Sequence, residues 1–155
     1  MCIVPLSGKE APSRFPNSYV RYDPPGSLVN LRPQDPNIRR EGDFLVISDH
    51  PQYPKLGFDS YVGWLAYLAP QDLLFVKQFP TYPDRVYNEA AGLTISVWYP
   101  DKSMVELEPI GPRERIGPGE SAEFTETWYL HAYSFPSEPP DPSEIAKVVD
   151  QLIAK

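Results

Sequence analysis

Apolar and polar positions alternate in short runs along most of this chain, and nearly every run stops at Pro, Gly or Asp. A two-residue period marks a strand with one covered face, so the pattern predicts many short β elements. Phe44–Ser48 follows the Glu41-Gly42-Asp43 turn, and Gly63–Ala69 leads through Pro70-Gln71-Asp72 into Leu73–Phe79, a hairpin signal. Leu73-Leu74-Phe75-Val76 is apolar without a break, as in a strand covered on both faces. Leu93–Tyr99, Met104–Glu108 and Ser121–Tyr133 continue an antiparallel meander. The first 40 residues are rich in Pro, Asn, Asp, Arg and Gly. They carry only short strand signals at Ile3-Val4, Tyr19–Tyr22 and Ser27–Leu31.

The period changes near the C-terminus. After the proline-rich stretch Pro136–Pro142, apolar residues fall at Ile145, Val148, Val149, Leu152 and Ile153, one stripe of a helix. Asp141 is placed to cap it, Pro142 suits its first position, and Glu144 completes a capping box. About 11–13 residues of helix are marginal alone, so this one must dock on the sheet or on another subunit. The expected fold is all-β, an antiparallel β-sandwich of about seven to nine strands with one C-terminal helix. Residues 1–135 form the sandwich domain, with an irregular segment 1–40, and residues 136–155 form the linker and helix.

Composition sharpens this picture. The chain has 20 prolines in 155 residues, against an ordinary share of about 5%, which disfavours long helices. A net charge of −7, with Arg39-Arg40 the only basic cluster, speaks against nucleic acid, which requires clustered cations. The single cysteine, Cys2, rules out an internal disulfide, in keeping with a reducing compartment. No apolar run is long enough for a membrane helix, and Met1–Lys9 has no signal-peptide pattern, so a cytoplasmic location is expected. His50, Asp49 and Asp59 are too thin a set for a metal, and neither a metal nor a cofactor is expected.

The candidate chemistry lies late in the chain. Alternation puts Glu106 and Glu108 on one face of Met104–Glu108, roughly 7 Å apart, with Val105 and Leu107 on the other. A like charge nearby raises one carboxylate's pKa and suits general acid–base work. Two solvated acids on an exposed face are the plainer alternative. Lys77 interrupts an apolar strand and either snorkels at an edge or projects beside the acids. Trp98 and Tyr129 offer an aromatic platform, and His131 stands between Tyr129 and Tyr133 as a candidate proton donor.

Several segments carry a resemblance. Lys55-Leu56-Gly57, Gly63–Tyr67, Leu74–Phe79, Tyr82-Pro83-Asp84, Val105–Pro112, Gly117–Ser121 and Trp128-Tyr129-Leu130 follow one another in the order and spacing of a known pattern. Lys55–Leu130 thus resembles the C-terminal half of an uncharacterised family of galactose-mutarotase-like β-sandwich proteins. The resemblance implies half of a two-sheet supersandwich with a sugar-binding concave face. In aldose 1-epimerases a late glutamate acts as base and an earlier histidine as acid. Glu108, before Pro109, looks like that glutamate, with Glu106 its rival. Neither His50 nor His131 aligns with the acid, because the half that supplies it has no counterpart here.

Three functions remain open at this point. The first is a carbohydrate-binding protein without catalysis, with Glu106, Lys77, Trp98 and Tyr129 as ligand contacts. The second is a sugar epimerase using Glu108 as base and His131 or a partner's histidine as acid. The third is an assembly protein using the sheet edge and the helix. A carbohydrate ligand and a second copy of the chain are the expected partners. Half a sandwich leaves edges and an apolar face open, so another copy, the first 40 residues or the C-terminal helix must cover them.

Overall fold

The computed structural model describes residues 1–6, 34–89 and 92–154, together with the backbone of 19–23 and 27–30. The strands are β1 (Cys2–Pro5), β2 (Tyr19–Asp23), β3 (Ser27–Asn30), β4 (Ile38–Glu41), β5 (Phe44–Ile47), β6 (Lys55–Phe58), β7 (Trp64–Ala69), β8 (Leu73–Gln78), β9 (Ile95–Asp101), β10 (Met104–Pro109) and β11 (Thr127–Ala132), followed by α1 (Pro142–Ile153). They form a six-stranded sheet in the order β11-β8-β7-β1-β5-β4 and a five-stranded sheet in the order β10-β9-β6-β2-β3. Every described pairing is antiparallel. The fold is an all-β sandwich with one C-terminal helix.

The short signals near the N-terminus become structural members of both sheets. β1 sits in the middle of the six-stranded sheet, between β7 and β5, while β2 and β3 extend the five-stranded one. Two strands carry no clear pattern. β4 (IRRE) is an edge strand held by main-chain pairing to β5, so its side chains need not alternate. β6 (KLGF) is short and contains a glycine, yet it buries Leu56 and Phe58. The Ser121–Tyr133 run is a strand only over Thr127–Ala132, where β8 lies opposite.

Alternation sorts the apolar residues into two cores. Cys2, Val4, Leu45, Ile47 and Leu65 of the six-stranded sheet meet Leu56, Phe58, Ile95, Val97, Tyr99 and Leu107 of the five-stranded sheet. The opposite face of the six-stranded sheet presents Ile3, Val46, Trp64, Ala66, Leu68, Leu74 and Val76, and α1 covers it with Ile145 and Val149. The layers run five-stranded sheet, six-stranded sheet, helix. The continuous apolar run in β8 follows from this order, since its strand is covered on both sides.

The helix begins as its sequence dictates. The Asp141 side chain accepts from the Ser143 amide at 2.8 Å, and Pro142 occupies the first turn, where no amide is needed. Its apolar stripe docks on this chain's own sheet, which removes the uncovered face that a half-sandwich would expose. The β7–β8 hairpin turns through Asp72 at φ 58°, left-handed backbone that Asp tolerates better than most residues. Among the described residues no helix is long and apolar enough to cross a membrane.

Candidate functional site

The outer face of the five-stranded sheet gathers three of the six sequence candidates, Glu106, Glu108 and Trp98. In β10, Leu107 is buried between the sheets and Val105 packs beside it, so Glu106 and Glu108 point outward. In β9, Ile95, Val97 and Tyr99 face the core, leaving Ser96 and Trp98 outward. The register sets Glu106 opposite Trp98 and Glu108 opposite Ser96, and β6 adds Lys55 opposite Trp98 from the other side. Three strands therefore bring a lysine, a tryptophan, a serine and two glutamates onto one surface.

The contacts there are specific. Ser96 Oγ donates to Glu108 Oε2 at 2.7 Å. Lys55 Nζ lies 3.6 Å from the same oxygen and 5.4 Å from the centre of the Trp98 ring. Glu108 and Lys55 are both over a third exposed, with side chains 38% and 36% accessible, so their ion pair holds weakly and can open for a ligand. Beside them is a shallow cleft of about 380 Å³, lined by Lys55, Glu89, Ser96, Glu108, Pro109, Ile110 and Gly111. Ser96 itself is buried at the floor.

The remaining candidates sit elsewhere. Lys77 on β8 points between the sheets at their open edge. There its Nζ donates to the Leu107 carbonyl at 2.7 Å, pairs with Glu126 at 3.0 Å, and lies 4.8 Å from the Trp128 ring centre. It is not beside Glu106 or Glu108. Tyr129 lies against the helix-facing core and donates its hydroxyl to Gln78 Oε1 at 2.9 Å. His131, opposite Leu74, shares that side of β11 and is exposed. Glu108 and His131 thus occupy opposite sides of the stacked sheets, which lie about 10 Å apart face to face, and cannot act on one sugar ring.

His50, the other histidine, packs edge-on against Tyr99, 6.1 Å between ring centres. Tyr99 faces the core, so His50 is also away from Glu108. Lys55, Ser96 and Glu89 were not singled out by local pattern as site residues. The signal for Lys55 and Ser96 was their alternation with buried neighbours, but it becomes informative only once β6, β9 and β10 are known to be adjacent. Among the described residues no three His, Cys, Asp or Glu side chains converge as a metal-binding group would.

Compared with known proteins, the chain matches no family model, no curated protein and no solved structure. Within Val105–Pro112, Glu106 and Glu108 lie on the outward face of β10, and Glu108, Pro109, Ile110 and Gly111 line the cleft.

Proposed function

We propose that this protein binds carbohydrate on the outer face of its five-stranded sheet, without epimerase chemistry. The observation that carries the reading is the juxtaposition of Trp98, Lys55, Ser96, Glu106 and Glu108 across three paired strands. A pyranose has an apolar C–H face and a ring of hydroxyls. An indole takes the first by burying apolar surface, and ionised carboxylates are strong acceptors for the second. Lys55 now covers part of that platform. Its exposed ion pair and cation–π contact are worth about 1 kcal/mol or less each, so a sugar displaces it at small cost.

Binding is favoured over ring-opening catalysis because an epimerase needs an acid across the sugar from its base. Glu108 has a serine and a lysine beside it, while both of the chain's histidines lie on other surfaces. The test is a titration of the protein with hexoses and their oligomers, followed by NMR shifts of the Trp98 indole and its neighbours. Trp98→Ala should weaken binding by roughly ten- to thirtyfold, the loss of an aromatic contact of about 1.5–2 kcal/mol. Polarimetry should show anomers interconverting no faster than in buffer. A full panel that shifts none of these resonances at millimolar sugar would sink the proposal.

A further inference from the structure

The two sheets end in edge strands on one side of the sandwich, β10 and β11, and they are treated differently. The β10 edge is blunted, because Lys77 Nζ takes the Leu107 carbonyl at 2.7 Å. Strand β11, TWYLHA, holds no proline and no Asp, Glu, Lys or Arg, the devices that usually protect an edge. Tyr133 donates its amide to the Asp72 carbonyl at 3.0 Å, one step beyond the Ala132–Leu73 pair. Hydrogen-bonded positions alternate in an antiparallel ladder. The main-chain groups of Thr127, Tyr129 and His131 therefore turn toward β8, and those of Trp128, Leu130 and Ala132 turn away. Trp128 and Leu130 are also the most exposed large apolar residues described, at 63% and 69%.

We propose that two copies of this chain pair through β11, antiparallel about a two-fold axis at Tyr129, joining their six-stranded sheets into one. Opposed residues in an antiparallel pair share a face, so an axis at Tyr129 sets Trp128 of each copy against Leu130 of the other. An axis at Leu130 would instead waste Trp128 on Ala132. The same two residues supply the outward main-chain groups, so hydrogen bonds and apolar contacts form together.

The self-complementary register favours a second copy as the occupant, and charge permits it. Each chain carries −7, and like chains can meet only where that charge is silent. The nearest carboxylate, Glu126, is already held by Lys77 at 3.0 Å and by the Trp128 indole at 2.8 Å. The β11 edge is a neutral strip on an acidic protein.

Light scattering on the full chain tests this. The wild type should show twice the 17.6 kDa chain mass. Leu130→Lys should dimerise roughly a thousandfold more weakly, because the axis repeats the change on both copies, and its thermal melt should match that of wild type diluted until it dissociates, since pairing stabilises only the folded chain. Met104→Lys, an exposed apolar position on the other edge strand (49% accessible), should remain dimeric. A wild type that stays at 17.6 kDa leaves the edge to some other strand and overturns the proposal. So does a dimer that survives Leu130→Lys or is lost in Met104→Lys.

Discussion

Replacing Lys77 by methionine separates a structural lysine from a ligand-binding one. Its side chain is 12% accessible and that of Glu126 is 21%, so the pair is largely withdrawn from water. Methionine keeps most of the stem but leaves the Glu126 carboxylate without its cation and the Leu107 carbonyl without its donor. Breaking one side of a fully buried pair costs about 3–5 kcal/mol. Glu126 keeps the Trp128 indole at 2.8 Å and some solvent, which lowers the expectation to about 2–3 kcal/mol. The lost contact with the Trp128 ring adds about 0.5–1 kcal/mol. Urea unfolding should therefore place Lys77→Met about 3 kcal/mol below wild type. Glu126→Leu added to it should recover more than half, since the stranded charge is then gone. Sugar titrations should be unchanged. A loss under about 0.5 kcal/mol would show that the pair is solvated in solution and that Lys77 does not close the sheet edge.

Two further outcomes follow from burial. Ile145, fully buried between α1 and the six-stranded sheet, should cost about 2–5 kcal/mol when cut to alanine. A change below about 1 kcal/mol in a denaturant titration would mean that the helix is not docked. Burial between the sheets pushes the Cys2 thiol from 9.0 up to about 12. The folded state then keeps a proton that the unfolded chain releases, so the contribution of Cys2 to stability is whole below pH 9 and falls as pH rises toward 12. The expected slope is about 1.4 kcal/mol per pH unit in that window, and burial of Tyr67, Tyr87 and Tyr99 steepens it above their ordinary value of 10.0. Cys2→Ala should flatten the curve between pH 9 and 10 in pH-dependent melts, and an unchanged slope there would refute this.

Much of the architecture was legible because it is local. The stripe of α1 and its cap at Asp141 depend on residues three and four apart, and the helix stands where they place it. Alternation separated Val105 and Leu107 from Glu106 and Glu108, since a strand's two faces are set by its own pleat, and the packing turned the first pair inward. The unbroken apolar run in β8 likewise announced a strand covered on both sides.

What the chain could not disclose locally is which strands become neighbours. Pairing joins segments far apart in sequence, and the choice depends on long-range burial that no short window contains. β4 shows this most simply, since an edge strand needs only main-chain partners and so leaves no side-chain pattern. The same limit governs the site. Lys77 was open to either an edge or the acids, with the edge favoured, until β8 was placed under β10, where it meets Glu126 and the Leu107 carbonyl. Glu108 and His131 each had the right chemistry for an acid–base pair. Their strands belong to different sheets and face opposite ways, so only the tertiary stacking separates them, as it alone brings Lys55, Trp98, Ser96 and Glu108 together.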